Sequence, residues 1–410
     1  MRREGHYWVI RVLVSVSVLF GSALACGAQS LTWLGTLGGN SSEAWGVSAD
    51  GSVVVGASRP QSSTYPRPFR WTATTGMQDI SRAGIVQGIA YGVSADGSVV
   101  IGSMDVGGYS RAFRWTPSGG MQDIDGRRSG YSSAAYGVSA DGSVVVGEVQ
   151  SPPYRRAFYW TATDWMQALG TFGGSDSWAY GVSADGSVVV GSARAHPSGS
   201  CAFRWTAETG MQNLGVLPGG NDSVARGVSA DGSVVVGTTF DGGTRGRAFR
   251  WTASEGMQDL GGLPGSTLIQ PWAVSADGSI VVGISMGTGT RAFRWTASRG
   301  MENLNITYAN LLAGGSLLEG AFAISPDGRY IVGDGYNAAT RRREAFLLDT
   351  GFPPRGDVNR SGCVDDADLL QVLFVFGERG YRAKDIDWNG TVDDADLLQV
   401  LFRFGDGCGN

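Results

Sequence analysis

The sequence predicts a mainly β chain: a seven-bladed β-propeller closed by an N-terminal strand, followed by a small all-α module. Three observations carry that expectation. The phrase GVSADGSVVVG at Gly46 returns, with small changes, at Gly92, Gly137, Gly181, Gly227, Ala273 and Ala323. After each copy comes an aromatic phrase of the AFRWT type, beginning at Pro68, Ala112, Ala157, Ala202, Ala248, Ala292 and Ala345. From Asp357 onward the pattern changes to an acidic loop and an apolar run, written twice.

Composition agrees with short strands and tight turns. The 410 residues include 65 Gly against 13 Pro, and only 17% are charged, unlike a long-helical or disordered chain. The net charge of −5 argues against a nucleic-acid partner, which would need a basic surface. Residues 355–410 hold eleven Asp/Glu and six Lys/Arg, so the tail carries that whole charge.

Taken in order, residues 1–28 read as a secretory signal peptide. Arg2 and Arg3 precede an apolar run from Val12 to Ala25, with small residues at a cleavage site after Ala25 or Ala28. Cys26 raises a lipoprotein anchor as a minor alternative. No second apolar stretch follows, so a secreted, extracellular protein without a transmembrane anchor is expected. Export permits disulfides. Cys363 and Cys408 bracket the tail, and sequence leaves open whether they pair; Cys201 reads as a small core residue.

Residues 31–350 hold the repeats. The Asp-Gly pairs from Asp50 to Asp327 stand 44 to 50 residues apart, the length of a propeller blade. GVSA and SVVVG flank an Asp-Gly, which predicts a two-residue hairpin turn. AFRWT and GMQDLG make the second strand pair. In FRW the Phe and Trp share one face and the Arg takes the other, where it should meet a neighbouring Asp or carbonyl. LTWLGTLGGN at Leu31 resembles a fourth strand, yet it precedes the first GVSADG; the last unit ends on AFLLDTG with no fourth strand after it. A ring in which the first strand completes the last unit explains both and removes two exposed edges. An open stack, the alternative, leaves the first strand without a place.

The wording of the repeat resembles the extracellular HAF-repeat family, with RAF or RPF where that family has His. The resemblance covers residues 31 to 350 and implies a secreted repeat architecture, not an activity. Trp45, Trp178 and Trp272 enter first strands and are candidates for sugar stacking or for core packing. The only His residues are His6 and His196, which leaves no Ser-His-Asp triad or multi-His metal site. The acidic residues outside the turns, among them Asp105, Glu148, Asp176, Asp222, Asp241 and Asp334, form no recognisable motif. Binding or scaffolding, with polysaccharide as a candidate ligand, is the expectation. A secreted carbohydrate-active enzyme (a glycoside hydrolase or lyase) is the competing one.

Residues 351–356 read as a linker and residues 357–410 as the tail module. Asp357-x-Asn359-x-Ser361-Gly-Cys363-x-Asp365-x-x-Asp368 and Asp385-x-Asp387-x-Asn389-Gly-Thr391-x-Asp393-x-x-Asp396 both match a twelve-residue calcium loop. Oxygen side chains fall at positions 1, 3, 5, 9 and 12, and position 7 (Cys363, Thr391) offers only its carbonyl. Two Ca2+ ions are expected. Position 12 is Asp where an EF-hand has Glu. Each loop runs into the apolar segment ADLLQVLF, with no helix before the first loop. A loop plus one helix, twice, closely resembles a type I dockerin. That resemblance implies a cohesin-like domain as partner, met by residues near loop positions 10 and 11: Asp366 and Ala367, Asp394 and Ala395. The family often has Ser or Thr there; this chain instead adds Phe374 and Phe402 on nearly all-apolar helices, some of which should face a partner.

Overall fold

The computed structural model describes residues 29–126, 131–195, 199–354, 356–380 and 384–408. The signal-peptide expectation, Cys26 included, and His196 lie outside the described residues. The fold is mainly β, 51% strand and 7% helix. In the first unit, strands Gly38–Val47, Val54–Pro60, Arg67–Thr72 and Gly76–Asp79 pair antiparallel in succession. The same succession begins again at Gly88–Val93, Ser133–Val138, Gly173–Val182, Asp222–Val228 and Leu268–Val274. After Leu317–Ile324, Tyr330–Asn337 and Arg342–Asp349, the fourth partner is Ser30–Trp33, in register Ser30↔Asp349 to Trp33↔Phe346.

One buried ring recurs in every unit. Phe69, Phe113, Phe158, Phe203, Phe249, Phe293 and Phe346 are fully buried. In the first six units the ring lies over the last Gly of the GVSADGSVVVG phrase. A Cβ on Gly56 would stand 1.9 Å from the Glu43 carbonyl oxygen and 2.8 Å from the Phe69 ring, so only glycine fits between ring and neighbouring strand. Each such Phe contributes about 1.5–3 kcal/mol by burial.

Neighbouring units are tied by two repeated hydrogen bonds. The Ala N–H of the aromatic phrase donates to a Ser hydroxyl of the next unit's first strand: Ala112 to Ser133, Ala157 to Ser177, Ala202 to Ser223. Ala345 donates in the same way to Ser42, 303 residues away. At the turns, Ala49 N–H donates to the Ala95 carbonyl, Ala95 to Ala140, Ala140 to Ala184, Ala184 to Ala230, Ala230 to Ala276 and Ala276 to Pro326, at 2.8–3.0 Å. Pro326 has no N–H, so it cannot donate onward.

The turn geometry corrects the sequence expectation. Between Val47 and Val54 the Asp-Gly lies in a four-residue loop, 49–52, closed by Ser48 N–H to the Val53 carbonyl at 2.9 Å. Asp50 accepts from the Ser48 hydroxyl and the Ser52 N–H, and Gly51 takes a positive φ of 71°. The Ser before the Asp competes for its carboxylate, and that local bond widens the turn. The same Ser–Asp bond forms in the other units. A Cβ on Gly51 would meet the Tyr330 ring at 2.6 Å, as one on Gly97 would meet Val53; each turn leans on the unit before it.

The Arg of FRW behaves as expected in three units, donating to the carbonyls of Gly142, Gly232 and Gly278. Arg294 instead pairs with Glu302, and the Arg70 Nε is buried without a hydrogen-bond partner. Cys201 is a free, partly buried thiol in strand Ser200–Thr206.

Deleting residues 30–34 would expose the Arg342–Asp349 edge and remove buried Leu34 and half-buried Trp33. Thermal unfolding of the shortened chain should fall by about 5 °C or more. An unchanged melt would mean that this strand contributes nothing to the assembly.

Candidate functional site

The tail is built from two near-copies. Helices Asp366–Phe374 and Asp394–Phe402 start on Asp365 and Asp393 as N-caps, which accept from Ala367 and Ala395 N–H. A capping box is complete in both, because Asp368 and Asp396 reach back to the cap N–H. The two halves share a small core of Val364, Val372, Val392 and Val400, all fully buried. They also exchange equivalent backbone bonds. Val364 pairs with Gly405 and Asp406 beyond the second helix, and Val392 with Gly377 and Glu378 beyond the first. Cys363 and Cys408 form a disulfide, which settles the pairing that sequence left open.

Each loop folds around its own carboxylates. Asp368 accepts from the N–H groups of Val358, Asn359 and Asp365 at 2.7–2.9 Å, and Asp357 from Ser361 and Gly362. Asp396 repeats this with Ile386, Asp387 and Asp393, and Asp385 with Asn389 and Gly390. Asp385, Asp387 and Asp396 bring carboxylate oxygens within 4.8 Å of one another. In the first loop positions 3 and 5 are Asn359 and Ser361, so amide and hydroxyl oxygens stand where the second loop has Asp387 and Asn389. Cys363 and Thr391 hold position 7; the thiol of Cys363 is consumed by the disulfide, so only its carbonyl is available.

Three of these carboxyls are held above their ordinary range. Burial, then the charges of Asp396 and Asp387, pushes the Asp385 carboxyl up to about 7. Burial likewise raises Asp396 and Asp357, the latter also through Asp368. An all-oxygen donor set of this kind fits a hard divalent cation, which would offset the burial and the weaker mutual repulsion that raise these groups.

The expected partner residues lie on the far side from the loops' core. Asp366, Ala367, Asp394 and Ala395 are exposed, and Phe374 and Phe402 are 80% and 81% exposed. Leu370, Leu373 and Phe376, with their counterparts Leu398, Leu401 and Phe404, extend the same apolar surface in both halves.

Two residues that sequence reasoning missed face the repeats instead. They hold position 4 of each loop, both with φ 59°: Arg360 and Trp388. The Arg360 guanidinium binds the Asp277 carboxylate, the Ser279 hydroxyl and the Asp327 carbonyl. Trp388 is buried and stands against the ring of turn alanines that includes Ala49, Ala140 and Ala230. The one signal available was that the two loops differ here while ADLLQVLF is unchanged. The expected linker is packed too, with Pro353, Pro354 and Gly356 buried against the turns.

Residues of the first strands wall a cavity. Trp45 contacts Tyr91, Tyr91 contacts Tyr136, and Tyr136 contacts Tyr180, with ring centroids 5.2–6.0 Å apart. Arg226 lies over Tyr180 at 5.3 Å and over Trp272 at 4.1 Å. Trp272 meets Phe322, which stacks on Trp45 at 4.2 Å. Trp45 and Trp272 thus belong to the cavity wall, whereas Trp178 lies two residues before the wall position of its strand. No helix among the described residues is long and apolar enough to cross a membrane.

No family model and no curated protein matches the chain. Solved structures do. An oligogalacturonate lyase from Vibrio parahaemolyticus is 11% identical, with 78% of this chain covering 93% of that one at a TM-score of 0.51. A puromycin hydrolase is 16% identical, covering 75% of this chain and 54% of its own, also at 0.51. TolB from Acinetobacter baumannii, 17% identical at a TM-score of 0.40, is matched over about half of each chain, 53% and 52%. At these identities the likeness concerns the fold, which is mainly β with propeller-like neighbours.

Trp388→Ala should release the tail from the turns. Full-length protein carrying it should be cut by protease in residues 350–356 at least about tenfold faster, as loss of a buried Trp costs about 3–5 kcal/mol. Arg360→Ala, a partly exposed pair, should accelerate cleavage only about twofold to fivefold. Equal cleavage of all three proteins would mean that the tail does not depend on this contact.

Proposed function

We propose that this chain is a secreted, non-catalytic, seven-bladed propeller closed by its N-terminal strand and anchored by a calcium-loaded, dockerin-like tail to a cohesin-like partner. The observation that carries the anchoring is the twin apolar face. Two helices of identical sequence, each with the Phe two residues beyond its end, leave the same four large residues uncovered, centred on Phe374 and Phe402. A continuous exposed apolar surface of that kind is expected of a docking site. Export rests on the N-terminal pattern of Arg2, Arg3 and the 12–25 apolar run.

Closure is supported by contacts that join the last unit to the first in the manner of every other neighbour. Ser30–Trp33 on Arg342–Asp349, Ala345 on Ser42, Gly51 on Tyr330 and Phe322 on Trp45 are those contacts. Seven units of four strands use each strand once.

The tail works by charge and by symmetry. Asp357, Asn359, Ser361, Asp365, Asp368 and the Cys363 carbonyl would hold one ion. Asp385, Asp387, Asn389, Asp393, Asp396 and the Thr391 carbonyl would hold the second. Calcium supplies the positive charge that lets buried carboxylates stay ionised together. The loops' own N–H groups orient Asp368 and Asp396, and the same two residues complete the capping boxes at the helix starts. Ordering a loop therefore fixes the helix that presents Asp366, Ala367 and Phe374, or Asp394, Ala395 and Phe402. Because the two faces are equivalent, either can meet the partner.

Surface binding of the full chain to immobilised type I cohesin domains tests this. Capture should occur in calcium and disappear in chelator. Exchanging Asp366 and Ala367 alone should weaken it less than about threefold, and exchanging both pairs by more than about a hundredfold. Capture indifferent to calcium, or lost with one pair alone, would contradict the two-faced reading.

A further inference from the structure

The region around Trp45 has the makings of a ligand site that the anchoring role does not use. A cavity of about 530 Å3 opens there, walled by Trp45, Tyr136, Tyr180, Arg226, Trp272 and Phe322. That volume lies within the roughly 300–1,000 Å3 of small-molecule pockets. The other end of the cavity is narrowed by Trp388, so a ligand enters from the side away from the tail.

The wall's polar groups are unequally engaged. The Tyr136 hydroxyl donates to Glu148, which also takes both bonds from Arg155. Tyr91 and Tyr180 lie close to the hydroxyls of Ser103 and Ser192. Arg226 differs. Among the described residues it has no hydrogen-bond or ion-pair partner, its Nε is buried and unpartnered, and it is held only by the faces of Tyr180 and Trp272. Stacking between two rings stabilises a guanidinium by about 0.5–2 kcal/mol but satisfies none of its five N–H donors. A cation fixed without an acceptor, at the wall of a cavity, suits an incoming oxyanion.

The rim narrows the choice of anion. Glu43 and Gln270, both partly buried, precede Trp45 and Trp272 by two residues on the same strands, just ahead of the bulge at each Trp. Glu43 is near enough to Tyr91 and Asp334 to raise both. A small free anion would feel this carboxylate and gain nothing from the rings. A ring that carries hydroxyls and one carboxylate would stack on the aromatic wall, give hydroxyl protons to Glu43 and Gln270, and place its carboxylate on Arg226.

We propose that this cavity binds the uronic-acid residue of an acidic polysaccharide, with Arg226 as the carboxylate ligand and Trp45 and Trp272 as the stacking platform. The site goes beyond the anchoring role and does not depend on it, because none of its residues belongs to the tail.

Trp45 and Trp272 provide the signal. Intrinsic fluorescence of the full-length protein is titrated with a β-1,4-linked glucuronate trisaccharide, with its neutral counterpart cellotriose, and with benzoate, in calcium and in chelator. The glucuronate should bind at least about tenfold more tightly than either comparison ligand. Arg226→Gln should remove that preference, and Arg226→Lys, which keeps the charge but not the fork, should retain part of it. Thermal melts establish that each variant is folded, and the Lys variant decides the matter if the Gln variant is not. Equal binding of glucuronate and cellotriose, tighter binding of benzoate, or a preference that survives Arg226→Gln in folded protein would overturn the proposal. Loss of binding only in chelator would overturn its independence from the tail.

Discussion

The pairing of Ser30–Trp33 with Arg342–Asp349 is the contact on which the remaining architecture depends. It joins the two ends of a chain segment more than 300 residues long and gives the last unit its fourth strand. With that strand in place, Ser42 can receive the Ala345 N–H and Gly51 can lie on Tyr330. Each unit alone is a small four-stranded sheet whose faces need neighbours. The Phe-over-Gly contact packs the first six sheets internally, and the Ser and Ala bonds hold neighbours in register. Each first strand then carries a bulge whose one unpaired residue, from Trp45 through Arg226 to Phe322, is delivered to the wall of the cavity.

The tail divides its labour between two sides. Position 4 of each loop, Arg360 and Trp388, faces the turns; the helices that follow face solvent. A metal held in the loops would therefore sit between the contact that seats the tail and the surface that the tail presents. The acceptor for Arg360 is Asp277, a turn residue whose carboxyl is held below its ordinary value by hydrogen bonds from Ser275 and Ser279 and by Arg360 itself, against the opposing effect of burial. The ion pair thus keeps its charge into moderately acidic conditions.

Much of the architecture was legible because the repeats are strict. The positions of the Asp-Gly pairs, the seven aromatic phrases and the odd first strand were enough to place four strands per unit. The turn differs from that expectation: Asp-Gly usually marks a two-residue hairpin, but the Ser hydroxyl two residues before each Asp binds its carboxylate in a four-residue loop. The helix starts, and the acidic residues around which each loop folds, could be read from residue type and spacing. The seat of the tail could not. Arg360 and Trp388 meet Asp277, Asp327 and the turn alanines, whose nearness is a product of tertiary structure alone. The cavity ring was hidden for a related reason: Trp, Tyr, Arg and Phe share its position, so no repeated letter marks it.

Calorimetric titration of the full chain with calcium addresses the central claim, that two oxygen-lined loops hold two ions and thereby order the docking helices. The account expects two calcium ions bound per chain, one of them lost in Asp385→Asn and the other in Asp357→Asn. Absence of binding heat at all temperatures examined, or a stoichiometry unchanged by both substitutions, would contradict it.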